Sequence, residues 1–252
     1  MAKTLQLHEV SFGYDRAEPA VVEGFSAGLA AGKVTALIGP NAAGKSTLMK
    51  LMLGLLEPWS GTVELEGRPV ATCPARQRAA WMSYVPQRVG ASFTFTVEEV
   101  VRMGRYALPW APQAVEAALE LCDLKDLRTR VYAWLSMGQQ QRVLLARAVA
   151  QARGAGKVML LDEPGSAMDL WHTHHTMRIL RDLASNGLAV LVILHDLNLA
   201  SKYADEVWLL QNGRLQAQGP WQAVLRPPTL EPVYRVGLEA LGTGRPVFTV
   251  RD

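Results

Sequence analysis

The segment Gly39-Pro40-Asn41-Ala42-Ala43-Gly44-Lys45-Ser46 constrains this chain more than any other. It fits the pattern GxxxxGK[ST], and its surroundings matter more than the string itself. The five residues before it, Val34-Thr35-Ala36-Leu37-Ile38, form a short β-rich apolar run ending at glycine and read as a buried strand. After it, Leu48, Met49, Leu51, Met52, Leu55 and Leu56 recur at helical spacing, which predicts a helix over Lys45–Leu56. Glu57-Pro58-Trp59-Ser60-Gly61 then breaks the helix. A strand, a glycine-bearing loop and a helix in that order aim backbone N–H groups at one point, where the helix dipole also favours an anion. The spacing predicts an ATP site built from Gly39, Pro40, Asn41, Ala42, Ala43, Gly44, Lys45, Ser46 and Thr47. Lys45 reaches for the β- and γ-phosphates, and the Ser46 hydroxyl for Mg²⁺. Ala42 stands where many such loops have glycine; if the position needs φ > 0, the alanine carries strain of about 1 kcal/mol.

A second group of residues has the chemistry to hydrolyse what the loop holds. Val158-Met159-Leu160-Leu161-Asp162-Glu163 is an apolar strand ending in two acids. Asp162, at the strand end, is expected to hold Mg²⁺ directly or through water. Glu163 is expected to polarise the attacking water as general base. His195 follows the apolar run Leu191-Val192-Ile193-Leu194. Parallel strands bring their carboxyl ends to one edge, where ligands bind, so His195 is placed to meet the γ-phosphate.

Along the rest of the chain, an opening strand is expected around Leu5–Val10, and another over Thr62–Glu66. Tyr84-Val85 leads into Pro86. Residues 90–154 change in character: helices are expected over Val97–Gly104, Gln113–Leu121 and Gln139–Ala152, with no convincing strand, which reads as an inserted helical subdomain. Strands resume at Lys157–Leu161, Leu188–Leu194 and Glu206–Leu210, with a helix across Leu170–Ser185. Asn212-Gly213 reads as a hairpin turn.

Composition excludes several alternatives. Of the 252 residues 49% are apolar and 19% charged, an ordinary globular balance. The net charge of +3 and dispersed arginines argue against nucleic acid as a partner. The apolar run Leu188–Leu194 is far shorter than the roughly 20 residues a membrane-spanning helix needs, and the N-terminus lacks the apolar core of a secretory signal. Cys73 and Cys122 have neither CxxC nor disulfide-framework spacing.

The segment Leu135-Ser136-Met137-Gly138-Gln139-Gln140-Gln141-Arg142 resembles the LSGGQ signature of ATP-binding cassette (ABC) ATPases, and it falls where the family has it. Tyr14 is similar to the aromatic residue that stacks on adenine, Gln87 to the glutamine linking Mg²⁺ to the helical lobe, and Ser166-Ala167-Met168-Asp169 to the D-loop. The resemblance implies an α/β fold: a P-loop NTPase core with an N-terminal antiparallel β subdomain and the helical insert, all one cassette domain. It implies that Gln87 acts with Glu163 and His195 in catalysis and helps Ser46 and Asp162 hold Mg²⁺. Ser136, Met137, Gly138 and Gln139 would complete the ATP pocket of the opposite subunit, with Ser166 and Asp169 joining the two sites. Met137, Ala42 and Gly165 depart from the family pattern, the first two from glycine and the third from threonine.

With one cassette and no membrane span, the chain resembles the separate ATPase subunit of an importer. That implies a homodimer bound peripherally to the cytoplasmic side of the inner membrane. It also implies two copies of a transmembrane permease and a periplasmic or extracellular substrate-binding protein. The stretch Phe93–Tyr106 and the tail Leu225–Tyr234 are similar to those of ATPases for iron-siderophore, haem and vitamin B12 uptake, so a metal chelate is the expected cargo. The alternatives are an ABC ATPase for another solute and a non-transport ABC ATPase.

Overall fold

The computed structural model describes residues 3–87, 94–242 and 244–251. Residues 90–93, the start of the expected insert and including Phe93, lie outside them. The chain forms two compact units: residues 1–73 with 189–252, and residues 74–188.

The first unit opens with β1 (Lys3–Phe12) and β2 (Val22–Ala30), an antiparallel pair. Then come β3 (Val34–Ile38), α1 (Lys45–Met52), β4 (Ser60–Leu65) and the short β5 (Arg68–Pro69). β2, β1, β4 and β5 lie side by side in an antiparallel sheet, the β subdomain that the family resemblance implies. α1 stops four residues short of the expected Leu56. Gly54 is at φ +65, the N–H of Leu55 donates to the Lys50 carbonyl and that of Gly54 to the Leu51 carbonyl. These two bonds form a Schellman stop, and a left-handed glycine overrides the apolar spacing of Leu55 and Leu56.

The second unit runs through α2 (Ala75–Trp81), β6 (Met82–Val85), α3 (Val97–Met103), α4 (Pro112–Leu121), α5 (Met137–Ala152), β7 (Val158–Asp162) and α6 (Leu170–Ser185). β6 and β7 pair in parallel. The stretch from α3 to α5 is helical as expected, with a single bridge, Thr96 to Val131, as its extended contact. α5 is its axis: Val143, Leu144, Leu145, Ala146, Ala148, Val149 and Ala150 are all buried. A helix apolar on all sides needs neighbours on all sides, and α3 and α4 pack against it. α5 starts two residues before Gln139 because Ser136 caps it.

The chain returns to the first unit with β8 (Ala189–Ile193), α7 (Leu197–Tyr203), β9 (Glu206–Gln211) and β10 (Arg214–Pro220). It ends with α8 (Trp221–Val224), α9 (Pro227–Tyr234), β11 (Leu238–Leu241) and β12 (Val247–Val250). β3 pairs in parallel with both β8 and β9, and every residue of β3 and β8 is buried. Such two-sided burial explains why both read as continuous apolar runs. β9 turns into β10 through Asn212 and Gly213, at φ 48 and 73, the left-handed pair a tight hairpin demands. Phe25 of β2 meets Trp208 of β9 edge to face at 5.6 Å, and both are fully buried, so the antiparallel and parallel strands of this unit share one core.

Candidate functional site

In the first unit the phosphate loop leaves β3 at Gly39 and enters α1 at Lys45. Gly39 has φ +148, and a Cβ there would lie 2.0 Å from the Leu210 carbonyl oxygen, so glycine is required by both backbone and space. Ala42 is at φ +59. The position does need the left-handed region, and alanine occupies it at the expected cost of about 1 kcal/mol. Two bonds brace the loop: Ala43 N–H donates to the Pro40 carbonyl at 3.3 Å, and Gly213 N–H to the Ala43 carbonyl at 3.0 Å. Lys45 is buried, and its Nζ donates to the carbonyls of Gly39 and Pro40 at 2.8 Å each, which fixes the ammonium against the loop. No side chain caps α1, and its first turn holds no acid. Its leading amides and dipole are therefore directed at whatever anion the loop receives.

Tyr14 and His195 join this loop within the unit. Ser46 is exposed at the start of α1, while Thr47 is buried with its hydroxyl 3.3 Å from the Tyr14 hydroxyl. Tyr14 is 62% exposed, and its ring stands edge-on to Phe12 at 5.2 Å. His195 is exposed just beyond β8. Leu37 pairs with Ile193 in parallel register, so His195 leaves the sheet at the end where Gly39 does. Asp196 next to it caps α7, its Oδ1 accepting from the amides of Asn198 and Leu199 at 2.7 and 3.2 Å.

The second unit assembles the carboxylates. Val85 of β6 pairs with Leu161 of β7 in parallel, so two residues later Gln87 and Glu163 stand opposite one another. Gln87 Nε2 donates to Glu163 Oε2 at 2.7 Å. Asp162 is 6% exposed at the end of β7. Burial, and secondarily the Asp162 charge, push the nearby Tyr84 hydroxyl up to about 12. Glu163 is at φ +50, left-handed without being glycine. Strain of this kind, of order 1–3 kcal/mol, survives where surrounding contacts over-determine the backbone. The chain then turns, with Ser166 N–H donating to the Glu163 carbonyl at 3.2 Å. Asp169 caps α6, accepting from the His172 amide at 2.8 Å and pairing with His172 Nδ1 at 2.8 Å. The His172 amide, followed by its ring, holds the Asp169 carboxyl below the usual range. Gly165 packs close to Thr173, and a Cβ there would come within 2.9 Å of Thr173 Cγ2.

Ser136 caps α5 through a capping box: its Oγ accepts from the Gln139 amide at 3.3 Å, and Gln139 Oε1 accepts from the Ser136 amide at 3.0 Å. Met137 is the first residue of the helix and 57% exposed. Gly138 faces the turn after Glu163: a Cβ there would lie 2.7 Å from the Ala167 carbonyl oxygen.

An uncapped helix end behind a braced loop with a buried lysine, and a strand-end acid pair supported by a glutamine, define a P-loop ATPase. The chain belongs to the ABC transporter family, whose model matches residues 22–166. It is similar to the hemin import ATP-binding protein HmuV of Pseudomonas entomophila (strain L48), with 45% identity over 213 residues, 81% of this chain and 83% of that one. The protein of the same name from Shewanella denitrificans (strain OS217) is 39% identical over 246 residues, covering 95% and 96% of the two chains. Among solved structures, an ATP-binding subunit of an ABC transporter matches with a TM-score of 0.82 and 26% identity, over 92% of this chain and 98% of that one. An inward-facing transporter assigned to the metal-chelate type matches at 0.81 and 27% over 100% and 98%. The chain is thus an ABC importer ATPase that binds and hydrolyses ATP. Among the described residues, no helix is long and apolar enough to cross a membrane.

Proposed function

We propose that this chain powers uptake of a metal chelate, haem foremost, through a separate membrane permease, and that it works as a homodimer on the cytoplasmic side of the inner membrane. The observation that carries the cargo is the likeness to hemin import ATP-binding proteins over four fifths or more of the chain. Substrate specificity lives outside an ATPase subunit, so this likeness supports the cargo only indirectly, through the permease that such subunits serve. That permease is present in two copies and receives its cargo from a periplasmic or extracellular binding protein.

In this reading Tyr14 stacks on adenine, while the loop amides of residues 39–47 and Lys45 hold the phosphates. The Glu163 carboxylate takes the proton of the attacking water, and Gln87 holds that carboxylate in place through its 2.7 Å hydrogen bond. His195 orients the γ-phosphate from the edge it shares with the loop. Ser136 to Gln139 present the N-terminus of α5 to the nucleotide of the opposite subunit, and Ser166 and Asp169 link the two sites.

Mg²⁺ fits the donors available. The Ser46 hydroxyl, the Asp162 carboxylate and the Gln87 amide oxygen are all hard oxygen ligands, and the buried Asp162 stands at the end of β7. Among the described residues there is no cluster of three or more His, Cys, Asp and Glu that could hold a metal ion. When bound, the ion neutralises phosphate charge as the γ-phosphoryl transfers.

Reconstitution with the co-purified permease in lipid vesicles tests the cargo by comparing ATP-driven uptake of haem, cobalamin and a ferric siderophore. Haem uptake that depends on Glu163 is the expected result. Transport of an amino acid, sugar or simple ion in its place would move the chain to another solute and leave the ATPase untouched.

A further inference from the structure

We propose that Gln141, a residue of the second turn of α5, is a positioning residue for hydrolysis: its side-chain amide clamps the two backbone segments that carry Gln87 and Glu163. The inference rests on the role given to Glu163 above.

Gln141 is 6% exposed, unusual for a neutral amide that could equally well face water. Burying it is tolerable only if its hydrogen-bonding groups are met. They are. Nε2 donates to Ser166 Oγ at 3.1 Å and to the Gln87 carbonyl at 3.4 Å, and Oε1 accepts from the Ala167 amide at 3.2 Å. Both N–H groups and one lone pair of the oxygen are thereby engaged. The orientation is fixed as well. A flipped amide would set oxygen against the Gln87 carbonyl and N–H against the Ala167 N–H.

The placement of these partners gives Gln141 its role. Gln87 and Glu163 meet through a hydrogen bond between exposed or half-exposed side chains. The two backbones beneath that contact help to set its geometry. On one side Gln141 grips the Gln87 carbonyl itself. On the other it grips Ser166 and Ala167, in the turn whose first bond runs from Ser166 N–H to the Glu163 carbonyl. That turn begins at the left-handed Glu163, a conformation that needs support from outside. Gln141 lies five residues from Ser136, on the helix whose N-terminus bears the signature. Its amide therefore ties the signature helix, the glutamine segment and the turn after Glu163 into one body. A shift of the helix end is passed to the water-activating carboxylate.

The full chain carrying Gln141→Leu, Gln141→Glu or Ser166→Ala tests this. Gln141→Leu removes all three bonds, whereas Gln141→Glu keeps the acceptor for the Ala167 amide and loses the donors. The expected order of kcat is unaltered chain, then Glu, then Leu. Gln141→Leu should be down about tenfold or more, the equivalent of leaving one buried partner unmet at the transition state. KM for ATP and the affinity for a fluorescent ATP analogue should stay within about twofold, because no bond of Gln141 reaches the phosphate loop. Ser166→Ala should lower kcat in the unaltered background and add little to Gln141→Leu, since the two share one bond.

Amide exchange in nucleotide-free protein gives a readout independent of turnover, and Gln141→Leu should accelerate it at Ala167. Unchanged exchange at Ala167 would overturn the clamp. Faster exchange with kcat within about twofold of the unaltered chain would overturn its role in hydrolysis. Glu163→Gln, run in parallel, isolates the underlying reading: full turnover in that variant refutes the general base, independently of what Gln141 does. Should Gln141→Leu fail to fold, Gln141→Glu and Ser166→Ala decide the question by the same comparisons.

Discussion

Gly39→Ala adds one methyl group where the structure has no room for it. β3 leaves the sheet at Gly39 beside Leu210, because Ile38 pairs with Leu209 of β9. The new Cβ would lie 2.0 Å from the Leu210 carbonyl oxygen, where real Cβ contacts are not found under 3.0 Å. Loop and strand must therefore separate by about 1 Å, and overpacking of this kind costs about 1–3 kcal/mol. The backbone adds a second cost: φ +148 is open to glycine, and another residue pays of order 1–3 kcal/mol there. Taking about 3 kcal/mol together, the melting temperature should fall by about 6–12 °C. If the loop escapes by moving, the Gly39 and Pro40 carbonyls that hold Lys45 move with it. The same energy expressed in binding weakens ATP by about a hundredfold. Titration with a fluorescent ATP analogue and calorimetric melting measure the two effects. Gly187→Ala is the control: φ there is +99 but nothing lies within 4 Å of its Cβ. It should lose about 1–2 kcal/mol of stability and keep full ATP affinity. Gly39→Ala with affinity within about twofold of the unaltered chain would refute the steric argument.

Glu163→Gln should retain ATP binding, form a dimer with ATP and lose turnover by about 10²-fold or more, since the amide cannot take a proton; steady-state hydrolysis at the normal rate refutes the general-base role. Ser136→Arg should stop hydrolysis while leaving nucleotide binding by a monomer unchanged. A mixed dimer of Lys45→Ala with Ser136→Arg, assayed for ATPase, should keep one working site and have one doubly damaged. Concentration-independent turnover by a monomer would remove the sandwich.

What the sequence made legible was local. The helix over Leu170–Ser185 was bounded correctly because its signals are local, with Asp169 as cap and Asn186-Gly187 as stop. Asn212-Gly213 announced its hairpin for the same reason. β2 gave no comparable signal: Glu23 and Gly24 interrupt its pattern, and Gly24 is at φ +57 where the register with β1 shifts. Its existence depends on β1, met only after the chain has folded. α7 and the β11–β12 hairpin carry equally little periodicity, and the one local signal of α7 is Asp196, an ordinary N-cap residue. At the site, the residue types were readable but not their contacts. Gln87 and Glu163 are 76 positions apart and meet because β6 and β7 pair in one particular register. The left-handed backbone of Glu163 and the buried amide of Gln141 leave no mark in the sequence pattern, since both follow from packing.

The family departures show that a glycine can be present for conformation or for proximity, and only the second is irreplaceable here. Ala42 has the left-handed backbone that glycine would adopt, and it is exposed, so the methyl group meets water rather than protein. The cost is about 1 kcal/mol and the loop keeps its shape. Met137 is more tolerant still: it begins α5 in ordinary helical space, and its half-exposed side chain leaves the capping box of Ser136 and Gln139 intact. Gly138, the next residue, has no such freedom, because the Ala167 carbonyl occupies the place of its side chain at 2.7 Å. That approach brings the turn after Glu163 onto α5, the same turn that Gln141 holds one helical turn further along. Ala42 and Met137 thus stand where a side chain faces water, whereas Gly39 and Gly138 stand where another backbone leaves no room for one.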